Sequence, residues 1–132
     1  MRWMLDTDTC IALIRRNAGA VRKLRGKSIG QVGISSITLA ELAFGVGKSS
    51  RPAEAEAALG EFLLALEVAA FGESAAFHYG AVRASLESRG KPIGPLDTLI
   101  AAHALAEDVT LVTHNSAEFR RVAGLRIEDW VT

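Results

Sequence analysis

The stretch Trp3-Met4-Leu5-Asp6-Thr7-Asp8-Thr9-Cys10-Ile11-Ala12 sets the reading of the whole chain. Trp3-Met4-Leu5 is a short apolar run of strand type, and Ile11, Leu13 and Ile14 follow at helical spacing. Two carboxylates, Asp6 and Asp8, stand where the strand hands over to the helix. Thr7, Asp8 and Thr9 are the candidate N-caps, which gives Asp8 an ordinary structural role. Asp6 is harder to explain that way, because a carboxylate that directly ends a buried strand is costly unless something binds it.

Working outward, the same alternation recurs. Gly33-Ile34-Ser35-Ser36 reads as a second strand, and Thr38 opens a helix towards Gly45. Asn17-Ala18-Gly19 is expected to break the first helix, and Val21–Lys27 to make a basic helical turn or two. Pro52 suits a helix start, and Ala55, Leu59, Phe62, Leu63 and Leu66 form one apolar stripe. Val68–Phe71 is a third strand, and Ser74–Arg89 a long helix stopped by Gly90. After the rigid Lys91-Pro92-Ile93-Gly94-Pro95 segment a helix runs from about Leu96 to Glu107. Val109–Thr113 is β-branched and apolar, and Leu125–Ile127 is a last short strand. Short strands without polar alternation, separated by helices, predict an α/β fold with a parallel sheet covered on both faces.

The 132 residues suit one domain, 1–132, with a hydrophobic fraction of 49%. Fifteen basic and fifteen acidic residues cancel, so any nucleic-acid surface must come from local clustering. One cysteine excludes an internal disulfide and suits a reducing, cytoplasmic setting. Cys10 itself reads as a small buried hydrophobe. The start Met1-Arg2-Trp3 lacks the apolar core of a signal peptide, and Phe62–Leu66 is too short to cross a bilayer, so no membrane is expected.

The remaining acids fall on the same kind of junction. Glu41 is expected in the first turn of the helix after the second strand, Asp97 opens the helix after the Gly-Pro segment, and Asn115 and Glu118 follow the 109–113 strand. In an open parallel sheet those junctions share the carboxyl edge, where ligands bind. Each acid has a plainer reading: Thr38-Leu39-Ala40-Glu41 matches a capping box, and Asp97 an ordinary first-turn acid. Together they are expected to meet in one cleft. Their repulsion is relieved by a hard divalent cation, Mg²⁺ with Mn²⁺ as substitute. His78, His103 and His114 make no zinc-like set.

Five ordered blocks carry a family resemblance across nearly the whole chain. They are Met4–Asp8, Ser36–Leu42 with Gly45, Ile93–Ala104, Leu111–Phe119 and Gly124–Trp130. The chain resembles PIN-domain ribonucleases, specifically VapC-type toxins of bacterial toxin–antitoxin pairs. The resemblance implies a PIN-like three-layer α/β/α domain and a Mg²⁺-dependent endoribonuclease acting on structured RNA, tRNA commonly. It implies Asp6 and Asp97 as principal metal ligands, and Glu41 and Glu118 as the rest of the acid cluster. Asp8, Thr113 and Asn115 would support them. Many PIN domains carry Asp where Asn115 stands, and Asn is usual where this chain has Asp8. The resemblance also implies a homodimer and a small VapB-type antitoxin whose cation would replace the metal's charge. Lys48, Arg51, Lys91 and Arg120 are the phosphate contacts expected near the acids. Two other readings remain beside it: a non-catalytic PIN-like binding module, and a haloacid-dehalogenase-like phosphatase suggested by Asp6-Thr7-Asp8-Thr9.

Overall fold

A computed structural model describes all residues, Met1–Thr132. The elements in chain order are β1 (Trp3–Leu5), α1 (Thr7–Ile14), α2 (Ala18–Arg25), β2 (Val32–Ser35), α3 (Ser36–Gly47) and α4 (Pro52–Leu63). Then come β3 (Glu67–Ala69), α5 (Glu73–Ser88), α6 (Pro95–Glu107), β4 (Thr110–Val112), α7 (Ser116–Phe119) and β5 (Ile127–Glu128). The strands form one sheet in the order β3-β2-β1-β4-β5, every neighbouring pair parallel.

The pleat sorts apolar side chains to two faces. Met4 and Leu111 pack with Leu86, Ile100, Ala101, Ala104, Phe119 and Val122, against α5, α6 and α7. Leu5, Ile34 and Val112 face the other way, onto Cys10, Leu13, Ala20, Leu42 and Trp130, with Leu59, Phe62, Leu63 and Leu66 of the α4 side closing that layer. This is the three-layer α/β/α arrangement, and the stripe read from α4 covers the chain's own core. Cys10 is fully buried, and burial holds its thiol well above the usual range.

Several local expectations are corrected. The cap of α1 is Asp6, not Thr7, Asp8 or Thr9: its carboxylate accepts from the Thr9 N–H at 2.9 Å. Asn17 does not begin a break but caps α2, accepting from the Ala20 N–H, and Ala18-Gly19 are helical. The actual corner is Arg15-Arg16, with Arg16 at φ 64°. α3 starts at Ser36 under a Ser35 cap, so Thr38 is not its cap and Glu41 lies in its second turn. The turn Ser116–Phe119 is helical, although it is too short to carry a periodic apolar pattern.

The chain's two ends meet on one face. Glu128 accepts from the indole N–H of Trp3 (2.9 Å) and of Trp130 (3.1 Å), and Lys27 lies 4.2 Å over the Trp3 ring. Burial would raise the Glu128 carboxyl, but those two donors and Lys27 hold it below its ordinary value.

β2 and β3 approach closely at Gly33, where a Cβ would sit 2.5 Å from the Glu67 carbonyl oxygen. Because that neighbour is backbone, it cannot swing aside. Gly33→Ala is expected to destabilise the fold by about 1–3 kcal/mol. Urea unfolding should show a lower midpoint at unchanged slope; an unchanged midpoint would refute the close packing of β2 on β3.

Candidate active site

The carboxyl edge of the sheet collects the acids. Asp6 follows β1 and is 3% exposed. Thr113 follows the neighbouring β4, is fully buried, and its side chain lies beside the Asp6 carboxylate. The Thr113 hydroxyl oxygen also accepts from the Asn115 N–H at 2.9 Å. Thr9 donates its hydroxyl to the Val112 carbonyl at 3.1 Å, locking α1 against β4. Burial, the largest influence, lifts the Asp6 carboxyl above its ordinary value, against the opposing influence of Thr113 and Thr9.

Glu41 comes from α3, beyond β2. Its Oε1 accepts from the Thr7 hydroxyl at 2.7 Å, a bond between residues on the helices following adjacent strands. Asp97 lies in the first turn of α6, which Gly94 caps. Glu118 on α7 accepts from the Gly94 N–H at 2.9 Å, and Asn115 Nδ2 donates to its other oxygen. A Cβ placed on Gly94 would lie 3.7 Å from Asp97 Oδ2 and 3.8 Å from Glu118 Oε1, so the two carboxylates converge on one point. Asp8 is exposed on α1, near enough for its charge to act on Asp6 and Asp97.

Electrostatics tie these acids together. The Asp97 carboxyl is pushed up to about 6, by burial first and then by the charges of Glu118, Asp6, Glu41 and Asp8. None of the four nearest acids (Asp6, Glu41, Asp97 and Glu118) has a Lys or Arg in an ion pair with it. No three His, Cys, Asp or Glu side chains close into a ready-made cage for a metal. The donor set is all oxygen and uncompensated. It therefore fits a magnesium-type ion, held by one or two carboxylates and keeping several waters, rather than a fully caged one.

The basic residues expected as phosphate contacts are all exposed: Lys48 and Arg51 between α3 and α4, Lys91 before α6, and Arg120 just after α7. Arg51 pairs with Glu54 at 3.6 Å, and Lys48 lies 5.3 Å over the Phe44 ring. Sequence reasoning does not single out Thr7, Thr9, Gly94 or His103 as site residues. Thr7 lies inside the Met4–Asp8 block with Thr9 next to it, and Gly94 and His103 lie inside the Ile93–Ala104 block, but their contacts are with residues far along the chain. His103 is fully buried on α6. Its Nδ1 meets Ser35 Oγ, the cap of α3, at 2.8 Å, while its Nε2 faces Glu107 from 3.5 Å. Burial lowers its pKa and favours the neutral ring, so it joins the helices bearing Glu41 and Asp97 without adding charge.

With that geometry in place, similarity to known proteins decides the family. The PIN domain profile matches residues 3–125. The chain belongs to the PIN-domain family. It is 42% identical over 130 residues to the tRNA(fMet)-specific endonuclease VapC of Salmonella typhimurium, covering 98% of both chains. It is 41% identical over 133 residues to ribonuclease VapC2 of Rickettsia felis, again over 98% of both. The solved structure of VapBC2 from Rickettsia felis, bound to a DNA fragment from its promoter, superposes with a TM-score of 0.94 at 40% identity, over 98% of this chain and 99% of that one. Within the PIN domains the chain is a member of the VapC ribonucleases, and the phosphatase reading of Asp6-Thr7-Asp8-Thr9 falls away. In this fold Asp8 faces solvent on α1.

The raised Asp97 carboxyl has a thermodynamic sign. Its folded value, about 6, exceeds its ordinary 3.8, so ionising it costs the folded state stability above pH 6, and that cost is removed as pH falls towards 4. In chelator, Asp97→Asn is therefore expected to raise the melting temperature at pH 7.5, and the gain should fade by pH 5. Added Mg²⁺ should stabilise the parent protein and not the variant. A lower melting temperature for Asp97→Asn at pH 7.5 would contradict this electrostatic picture.

Proposed function

We propose that this protein is a divalent-metal-dependent endoribonuclease toxin, held inactive by a small VapB-type antitoxin. One observation carries the reading: Asp97 lies in the combined field of Asp6, Glu41 and Glu118 with no basic side chain to offset it. In this reading Asp6 and Asp97 bind the ion, Mg²⁺ or Mn²⁺. Glu41, oriented by Thr7, and Glu118, oriented by Gly94 and Asn115, hold the waters around it. When bound, the ion supplies positive charge for the phosphodiester and lowers the pKa of a water nucleophile. The residues do the positioning: the Thr9 N–H holds the Asp6 carboxylate, and Asp8 adds negative charge at the rim of the cleft.

Structured RNA, tRNA in particular, is the substrate class, supported by the names of the Salmonella and Shigella relatives. The antitoxin is supported by the solved VapBC complexes. A homodimer is supported by Phe44 and Phe77, which are 69% and 75% exposed and have no partner within the chain's core. No helix is long and apolar enough to cross a membrane.

The test is incubation with total RNA, with and without Mg²⁺, followed by mapping of the cut ends. Discrete cuts that need a divalent ion are expected. Asp6→Asn and Asp97→Asn should each slow cleavage by at least about 10²-fold, in the range seen when one electrostatic stabiliser of a transition state is removed. Full activity in both variants, or cleavage unaffected by chelator, would overturn the assignment.

A further inference from the structure

The acidic cleft attracts cations and repels the polyanion it is proposed to cut. Charge elsewhere on the chain is distributed to match. Six of the fifteen basic residues lie between Arg15 and Lys27, and none of the fifteen acids does. The rest of the chain carries nine basic against fifteen acidic residues. A negatively charged body that must hold RNA needs a separate cationic handle.

That handle has a shape. A recess of about 440 Å³ at the corner between α1 and α2 is lined by Arg16, Ala18, Val21, Arg22 and Arg25. Three of its five lining residues are arginines, and no carboxylate lines it. None of the three guanidinium groups is in an ion pair or a side-chain hydrogen bond within the chain. Arg22 and Arg25 are three residues apart on α2 and so share a helix face. Arg16 reaches the recess from a left-handed backbone, φ 64°, where glycine would be easier, so the side chain is kept at a conformational cost. Guanidinium forks match phosphate oxygens in pairs, and Arg16 and Arg25 also border an adjoining apolar groove between Leu13, Leu24 and Phe62, where Glu61 is the one carboxylate. The recess lies at the far end of α1 from Asp6, about 12 Å along the helix by its rise per residue.

We infer that Arg16, Arg22 and Arg25 form a phosphodiester-binding site for the RNA substrate, outside the acidic cleft. This rests on the ribonuclease reading. The site would hold the RNA backbone at a distance from the scissile bond without choosing the sequence. It should therefore act on binding and leave the chemical step alone.

The test uses the full chain with Arg16, Arg22 and Arg25 all changed to Gln, and a second variant, Arg22→Gln with Arg25→Gln, that leaves the corner residue intact. Binding of total tRNA is measured by fluorescence anisotropy across a NaCl series in an Asp97→Asn background, so that cleavage does not intervene. The triple variant is expected to bind at least about tenfold more weakly at low salt, with the salt slope reduced by about 2 to 3, roughly one for each phosphate no longer neutralised; the double variant should show about two-thirds of that reduction. In the cleavage-competent protein KM should rise with kcat unchanged, and a short single-stranded oligonucleotide should be cut as before. Competition by inorganic phosphate should be weak in the parent, which separates a backbone site from a site for free phosphate. Unchanged affinity and slope in both variants would overturn the inference. So would unchanged RNA binding accompanied by loss of binding to the antitoxin, which would assign the recess to an acidic protein partner. Because binding is read directly, a failure of the ribonuclease reading shows separately, as an absence of cleavage by the parent.

Discussion

Four carboxylates share the carboxyl edge of the sheet against their own repulsion. Burial first, and then the charges of Glu118, Asp6, Glu41 and Asp8, push Asp97 to about 6, yet no lysine or arginine is paired with Asp6, Glu41, Asp97 or Glu118. Such a cluster survives because neutral hydrogen-bond donors hold its members. Asp6 has the Thr9 N–H, Glu41 has Thr7, and Glu118 has the Gly94 N–H and Asn115. Neutral donors orient a carboxylate without cancelling its charge. The cleft therefore stays negative and open to a cation, which a salt bridge would prevent.

The fold keeps those donors in register. β1 and β4 are adjacent and parallel, which puts Asp6 and Thr113 side by side at the same level. The Thr9 hydroxyl then ties α1 to the end of β4. On the other side, the buried His103–Ser35 contact fastens the helix bearing Asp97 to the cap of the helix bearing Glu41. These contacts sit where the two apolar layers meet the sheet edge, so packing and site geometry are set by the same elements.

Negative charge at the cleft also shapes the rest of the surface. An uncompensated cluster of carboxylates keeps its attraction for a cation only where no lysine or arginine neutralises it. The chain's own cations are better placed at a distance, and the segment from Arg15 to Lys27 concentrates them on the side of α1 away from Asp6. A net charge of zero thus conceals two opposed regions.

The amino-acid sequence alone determined the order of elements apart from the short α7, the parallel sheet and the positions of the acids at strand–helix junctions. Those follow from apolar runs, Gly and Pro punctuation and residue type, all local along the chain. The α4 stripe is a clear case: its five apolar residues are the half-buried ones. Tertiary structure decided which hydroxyl caps which helix and which acid meets which donor. Thr38 fits the local capping-box pattern with Glu41 better than Ser35 does, yet α3 emerges directly from β2 and takes Ser35 as its cap. Glu41 could have reached back to its own helix; instead it bonds Thr7, thirty-four positions away. Gly94 offers its N–H to Glu118 across twenty-four positions. Such pairings depend on where the parallel crossovers deliver each chain segment, and a window of neighbouring residues holds no information about that.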